Sequence, residues 1–303
     1  MKVQNILETI GNTPHVRLKR LFPNLRVWLK LESHNPGASI KDRIALAMIE
    51  KAEENGELRP GGTIIEPTSG NTGVGLAMAG AVKGYRVILV MPDSMSKERI
   101  TLFRVFGAEP ELTPGDKGMK ASIEKAREIA GSIPGSYMPM QFENIANPSV
   151  HSQTTAREII EDFPGGADYL FAGIGTGGHI TGAGGELKKN FPQMKIFGVE
   201  PLDSPVLSGG KPSPHPLQGM GAGFVPGILD IQIADHIVTV SKEDSFEMTQ
   251  MLARKEGIPS GISTGAVLAA IKKKESTLPL QSLVITFAYD TGERYLSVEG
   301  LWD

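Results

Sequence analysis

The 303-residue sequence contains no cysteine. This absence excludes a disulfide framework, a thiolate nucleophile and any metal centre held by cysteine. Aromatic residues are scarce at 6%, and neither sign of charge dominates, since 31 Lys and Arg stand against 34 Asp and Glu. A net charge of −3 lacks the basic surface typical of nucleic-acid binding, so we expect no nucleic-acid partner.

Long apolar runs are also missing, and none approaches the roughly 18–20 residues of a membrane-spanning helix. The N-terminal stretch MKVQNILETIG has no basic segment followed by an apolar region, so a secretory signal is not expected. Apart from one in a glycine-rich loop, the histidines show no i,i+4 pair, and we expect no metal site. These features predict a cytoplasmic protein without a membrane partner.

Glycine, by contrast, is abundant at 36 residues, and strand-like segments alternate with helix-like ones. Predicted strands occupy 63–66, 85–91, 109–113, 169–172, 195–199, 236–240 and 282–287. Predicted helices occupy 41–54, 73–83, 94–106 with Ser96 as N-cap, 117–130, 180–190, 242–256 and 265–273. This alternation predicts an α/β protein built from βαβ units with parallel sheets, and the length favours two domains.

Two of the glycine-rich loops suggest anion binding. The loop GIGTGG at 173–178 follows a strand and opens a helix, and Glu200 ends the next strand. This pattern fits a dinucleotide fingerprint, a site for a single phosphate, or a tight turn without a ligand. The loop TSGNTG at 68–73 offers several N–H and O–H donors at the head of a helix, so it is either a carboxylate or phosphate site or a generic turn.

A third loop, GISTG at 261–265, fits the nucleophile elbow of hydrolases. That interpretation fails because a helix precedes the loop and no histidine follows His236. The serine at 263 is therefore either a cap of the following helix or a ligand contact.

The segment NPGASIKDR at 35–43 places Lys41 in the first turn of a helix, where the helix dipole disfavours a cation. Either Asp42 pairs with it locally, or Lys41 is a lysine whose ammonium is destabilised and which is primed to form a Schiff base. An amine nucleophile, a cradle for one phosphate at 175–179 and a separate carboxylate site at 68–72 suit pyridoxal phosphate better than a dinucleotide.

These motifs together resemble the cysteine synthases (O-acetylserine sulfhydrylases), within the fold-type II family of pyridoxal-phosphate enzymes. The likeness extends over IGNTP, WLKLE, NPGASIKDR, EPTSGNTG, QFENIANP, GIGTGGHITG, GMGAGF and GISTGA. The resemblance implies two open αβα domains with parallel or mixed sheets and an active site in the cleft between them. It assigns 38–148 to a smaller, mobile domain and 1–37 with 149–303 to a larger domain that carries the phosphate-binding loop.

The resemblance also implies roles for individual residues. Lys41 would be the catalytic residue that forms the Schiff base with pyridoxal 5'-phosphate and moves the α-proton. The cofactor would be bound by Asn71 at its 3′-oxygen, by Gly175, Thr176, Gly177, Gly178 and His179 at its phosphate, and by Ser263 at its pyridine nitrogen. The substrate carboxylate would be bound by Thr68, Ser69, Gly70, Thr72 and Gln141.

Two of these positions have chemical consequences. The hydroxyl of Ser263 can donate to a neutral pyridine nitrogen but cannot stabilise a pyridinium as a carboxylate would, which suits α,β-elimination. His179 stands where the family usually has threonine, and its imidazole either donates to the phosphate or turns to solvent.

The implied reaction is a ping-pong β-replacement that makes L-cysteine from O-acetyl-L-serine and sulfide through α-aminoacrylate. Two alternatives stay open: a cystathionine β-synthase type of reaction with homocysteine, and an NAD-binding oxidoreductase based on GIGTGG and Glu200. The resemblance further implies a homodimer and docking of the C-terminal tail of serine acetyltransferase.

Overall fold

The computed structural model describes residues 2–93 and 97–303, and the contacts of the chain divide it into two units. The smaller unit comprises the N-terminal residues through Ile10 and Asn35–Asn147, and the larger unit comprises Gly11–His34 and Pro148–Asp303. The N-terminal residues belong to the smaller unit because Leu7, 6% exposed, packs in its core. The boundaries therefore differ from the predicted 38–148, which had left residues 1–37 in the other domain.

The elements follow the predicted alternation. The strands are β1 His15–Arg17, β2 Arg26–Leu31, β3 Thr63–Pro67, β4 Arg86–Pro92, β5 Glu109–Thr113, β6 Tyr169–Gly173, β7 Lys195–Pro201, β8 His236–Val240 and β9 Leu283–Ala288. The helices are α1 Lys41–Glu54, α2 Asn71–Lys83, α3 Lys97–Val105, α4 Gly118–Ser132, α5 Ala146–Val150, α6 Ala156–Asp162, α7 Gly185–Asn190, α8 Lys242–Met251 and α9 Ile262–Lys274. Turns of π-helix extend α5, α7 and α8, at His151–Thr155, Ile180–Gly184 and Leu252–Glu256.

The smaller unit contains a three-stranded parallel sheet in the order β3-β4-β5. Ile64 packs in the cluster formed with α1 and α2, whereas Ile65 packs in a second cluster with Ala126 of α4. This alternation places helices on both faces of the sheet, as buried parallel strands require. Beyond β3, Tyr137 pairs with Ile64 and brings the segment before Gln141 to the same edge.

The larger unit contains a six-stranded sheet in the order β1-β2-β9-β6-β7-β8. Only the β1–β2 pair is antiparallel among these neighbours, so the sheet is mixed. The predicted α/β class with parallel sheets is confirmed. In each unit the loops of interest leave the carboxyl ends of parallel strands, TSGNTG after β3 and GIGTGG after β6, where ligands bind in open α/β sheets.

Several predicted boundaries shift. Helix α2 begins at Asn71, two residues before the prediction, and α9 begins at Ile262, three residues before it. The predicted Ser96 cap of α3 lies outside the described residues. In the part of the chain that the structure describes, no helix combines the length and the apolar character needed to cross a bilayer.

Candidate active site

Lys41 is the first residue of α1 and is half-buried. The turn before it is held by side chains on both sides: the Ser39 hydroxyl accepts the Lys41 N–H at 3.2 Å, and the Asp42 carboxylate accepts the Gly37 N–H at 2.6 Å. Ala38 adopts a left-handed conformation with φ +57°, a strained geometry of the kind found at functional sites. The lysine is therefore presented by a constrained turn and not by a free helix end.

The loop TSGNTG lies at the carboxyl end of β3 and forms the start of α2. Gly70 is the N-cap residue, so Asn71 and Thr72 lie in the first helical turn, at the positive end of the helix dipole. The Thr68 hydroxyl accepts the Gly70 N–H at 3.4 Å. A Cβ at Gly73 would lie 2.6 Å from the Phe103 ring, so a side chain there would require this ring to move. The anion site over Thr68, Ser69, Gly70 and Thr72 stays a prediction, with which this helix start is compatible.

Gln141 lies in the same unit and reaches this loop. Its side-chain oxygen accepts the Thr72 hydroxyl proton at 2.7 Å, and the side chain is 6% exposed. The Asn147 side chain donates to the Gln141 carbonyl at 2.9 Å. The structure thus brings together Thr72 and Gln141, two residues 69 positions apart that were predicted to bind one carboxylate.

The loop GIGTGG leaves β6 and leads into the helical segment that begins near His179. Gly177 has φ +81°, a conformation that other residues rarely adopt. A Cβ at Gly175 would collide with the Gly219 carbonyl oxygen. The Thr176 hydroxyl accepts the Gly178 N–H at 3.3 Å. Glycines here allow a close backbone approach, which is what phosphate binding at such a loop requires.

The long segment between β7 and β8 contributes a contact that the sequence did not reveal. Gly219, with φ +89°, has its carbonyl against Gly175, and a Cβ built on it would lie 3.9 Å from the Ser263 hydroxyl. Gly219 of the GMGAGF motif therefore lies between Gly175 of the loop GIGTGG and Ser263. Ser263 is 5% exposed and is the second residue of α9, whose N-cap is Gly261. The alternative that Ser263 caps this helix is wrong, and the alternative that its hydroxyl contacts a ligand stays a prediction.

Tyr289 is a further residue of this site that the sequence patterns did not identify. Its hydroxyl accepts the N–H of Gly173, the residue that opens the glycine-rich loop, at 2.7 Å. Its own N–H donates to the Thr264 hydroxyl at 3.1 Å. Burial raises the pKa of this phenol, so it stays protonated at neutral pH. Tyr289 thereby links the start of the loop to the start of α9.

His179 is enclosed by rings. Its imidazole lies edge to face against Phe287, with ring centroids 4.2 Å apart, and against His151 at 5.5 Å. With 8% exposure the ring does not turn to solvent, so that alternative is wrong. Its predicted role as a donor to the phosphate stays a prediction.

The acidic residue at the end of β7 is occupied by its own chain. Glu200 is 1% exposed, and its carboxylate accepts the N–H groups of Leu207 and Ser208 at 2.8 and 2.9 Å. The Ser208 hydroxyl donates to it as well, at 2.5 Å. In a dinucleotide site this carboxylate would bind a ribose hydroxyl. Because it anchors the segment after β7 instead, the geometry disfavours the NAD-binding alternative.

The donor set fits pyridoxal phosphate. A glycine cradle with the Thr176 hydroxyl suits a phosphate monoester, and a buried neutral hydroxyl at Ser263 suits a pyridine nitrogen. The amine of Lys41 and the half-buried amide of Asn71 are the groups of the smaller unit that suit the aldehyde and the 3′-oxygen. Among the described residues no three histidine or acidic side chains are grouped so as to hold a metal ion.

Replacement of Gly175 by alanine is expected to weaken pyridoxal phosphate binding by at least about tenfold, because displacement of the loop costs a charge-assisted hydrogen bond. The new Cβ would push the loop away from the Gly219 carbonyl. Titration of the apoenzyme with the cofactor, followed by visible absorption, measures this. Gly165→Ala is the matched control, since open space surrounds that glycine in the same unit. If Gly175→Ala binds pyridoxal phosphate with wild-type affinity, this loop does not bind the phosphate.

Comparisons with known proteins agree with this donor set. A family model described as pyridoxal-phosphate dependent enzyme matches residues 6–288. A cysteine synthase of Flavobacterium sp. is 58% identical over 262 residues, which cover 86% of this chain and 85% of that protein. A solved O-ureido-L-serine synthase has a TM-score of 0.96 and 42% identity, covering 99% of this chain and 95% of its own. An O-acetylserine sulfhydrylase isoform of Entamoeba histolytica has a TM-score of 0.93 and 40% identity, covering 99% and 91%.

Proposed function

Because the chain belongs to the family of pyridoxal-phosphate dependent enzymes, we propose that it makes L-cysteine from O-acetyl-L-serine and sulfide. The observation that carries this proposal is the 58% identity with a cysteine synthase over 86% of the chain. The geometry of each unit supports it, since one offers an amine with a carboxylate site and the other a phosphate cradle with a neutral hydroxyl.

Bound pyridoxal phosphate withdraws electrons from the α-carbon of an amino acid, which permits loss of the α-proton and of a group at the β-carbon. Lys41 is the catalytic residue of the proposal: its Nζ would hold the aldehyde of the cofactor, and as a free amine it would take and return the α-proton of the substrate. The proposed cofactor ligands are Asn71, Gly175, Thr176, Gly177, Gly178, His179 and Ser263. The proposed ligands of the substrate carboxylate are Thr68, Ser69, Gly70, Thr72 and Gln141.

The substrate carboxylate needs donors, and the smaller unit supplies them in the first turn of α2. Backbone N–H groups there carry the positive end of the helix dipole and face an anion favourably. The Gln141 oxygen is occupied by the Thr72 hydroxyl, so its amide N–H₂ is the end that can donate to a carboxylate. Recognition of the α-carboxylate then accounts for amino-acid substrates as a class.

We further propose a cytoplasmic homodimer that can bind the C-terminal tail of serine acetyltransferase, with the resemblance of the motifs as support. Light scattering of the purified protein measures the mass of the particle, which is expected at twice 32.5 kDa. A synthetic tail peptide should compete with O-acetylserine if the docking proposal holds, and absence of competition would reject it.

Activity of the holoenzyme tests the reaction directly. With O-acetylserine, cysteine formation should require sulfide, and O-acetylserine alone should change the visible absorption of the enzyme until sulfide restores it. A parallel assay uses serine with homocysteine, and a third measures NADH binding. Turnover with homocysteine but not with sulfide would show that homocysteine, and not sulfide, is the acceptor. NADH binding by a colourless protein would reject the proposed function.

A further inference from the structure

Glu66 is a buried carboxylate to which no role above is assigned. It lies near the end of β3, two residues before Thr68, and is 1% exposed. One oxygen accepts the Met140 N–H at 2.8 Å, and the other accepts the Gln141 N–H at 3.2 Å. Both oxygens of the carboxylate therefore hold one short stretch of backbone that is 74 positions away in sequence.

That stretch is strained. Met140 has φ +53°, in the left-handed region that residues with a side chain rarely adopt, and such strain persists only where the surroundings enforce it. Glu66 enforces it from one side, and Asn147 holds the next carbonyl, that of Gln141, at 2.9 Å. The backbone of Gln141 is thus hydrogen-bonded at both its N–H and its carbonyl.

Holding this stretch of backbone with a buried carboxylate costs free energy, which indicates a role beyond local packing. Burial raises the pKa of Glu66 to about 7, and the two N–H donors lower it only in part. A neutral side chain of the same shape would avoid the desolvation of a charge, but it would not offer two acceptor oxygens. The two acceptor oxygens are what the N–H groups of Met140 and Gln141 use.

The side chain of Gln141 is the part of this arrangement that reaches a proposed ligand site. Its oxygen accepts the Thr72 hydroxyl proton at 2.7 Å, which determines which end of the amide is turned toward that hydroxyl. If the backbone of Gln141 rotated, this contact would be lost, and the amide would be free to offer its oxygen to an anion. An oxygen facing a carboxylate is repelled, whereas the N–H₂ end binds it.

We propose that Glu66 is a positioning residue for the amino-acid substrate: by holding Met140 and Gln141 it keeps the Gln141 amide oriented to donate to the α-carboxylate. This inference rests on the proposed function, because it takes the carboxylate site at Thr72 and Gln141 as given. Glu66 itself acts only through Gln141 and touches neither substrate nor cofactor.

Glu66→Gln tests this role, since glutamine keeps the shape but replaces one acceptor oxygen by an N–H₂ group. The KM for O-acetylserine is expected to rise about tenfold, with the KM for sulfide and kcat within about twofold of wild type. Glu53→Gln is the matched control, because Glu53 accepts the Tyr85 hydroxyl at 2.6 Å in the same unit without contacting Gln141. Its KM values should be those of wild type.

A double variant separates positioning from general loss of structure. In Glu66→Gln combined with Gln141→Ala, the KM for O-acetylserine should equal that of Gln141→Ala alone, because the residue that Glu66 positions is gone. A further additive rise would overturn the proposal, as would a folded Glu66→Gln enzyme with the wild-type KM. If circular dichroism shows that Glu66→Gln does not fold, Asn147→Ala replaces it, with the same expected rise and with an unchanged KM as the contradicting result.

Failure of the proposed function gives a different result. A wild-type enzyme that loads pyridoxal phosphate but does not turn over O-acetylserine would reject the proposed function and this role with it. A wild-type enzyme that does turn it over, with Glu66→Gln unchanged, rejects the positioning role alone.

Discussion

Lys41→Ala is expected to lower the turnover of O-acetylserine and sulfide by roughly a thousandfold or more, since both a covalent group and a proton carrier are lost. The fold should be retained, because Ser39 and Asp42 hold the turn before α1. The visible absorption of bound cofactor should also shift or disappear, since alanine has no amine to offer to the aldehyde.

Steady-state kinetics and absorption spectra of the purified variant measure both effects. Lys51→Ala on the same helix is the control, since Lys51 is exposed and pairs with Glu54 at 3.1 Å. Lys41→Arg keeps a positive charge but cannot exchange a proton at neutral pH, so it should be nearly as inactive. Turnover of Lys41→Ala within tenfold of wild type would assign the proton transfer to another residue.

Lys30→Met is expected to lower the free energy of unfolding by about 3–5 kcal/mol, the usual cost of leaving a buried charge without its partner. The Lys30 side chain is 0% exposed, and its Nζ lies 2.7 Å from a Glu158 oxygen. It also donates to the Thr13 carbonyl at 2.9 Å. Methionine fills the same space but leaves the Glu158 carboxylate, whose side chain is 12% exposed, without the ammonium.

Urea unfolding followed by circular dichroism measures this loss. The double variant Lys30→Met with Glu158→Gln should recover part of it, because the second change removes the charge left behind. Lys189→Met is the control, since Lys189 is 75% exposed and its pair with Glu186 should contribute less than about 1 kcal/mol. A loss below about 1 kcal/mol in Lys30→Met would show that water reaches Glu158.

Lys30→Met should also change the pKa of His15. Burial, and after it the Lys30 charge, lower the pKa of His15 to about 4, so this imidazole is neutral at pH 7. Without the Lys30 charge its pKa should rise, which NMR titration of the imidazole can follow.

The local features of this protein could be predicted from its amino-acid sequence. Strand and helix periods predicted the α/β class, and the residue types of the loops predicted an amine, a carboxylate site and a phosphate cradle. These features are readable because each depends on neighbours within one turn or one strand. Lys41 begins α1, and TSGNTG follows β3, as the patterns indicated.

Strand β2 was not predicted, although its motif WLKLE was noted. Lys30, the middle residue of this motif, argues against a buried strand unless the partner of the lysine is known. That partner is Glu158, 128 positions away in sequence. Helix α9 was predicted to begin at Gly265 because GISTG was taken as a loop, whereas α9 begins at Ile262. Gly265 is a helical position where a Cβ would meet Thr249 and Ser245 of α8.

The contacts between distant segments could not be predicted from the sequence and are visible in the folded chain. The contacts of Gly175 with Gly219, of Gly173 with Tyr289 and of Glu66 with Met140 join segments far apart in the chain. Their physical reason is burial: a polar group removed from water needs a partner, and the fold supplies it from whichever segment lies beside it. Sequence periodicity does not indicate that partner. The chemistry of the loops was therefore predictable, whereas the contacts that hold the loops in place were not.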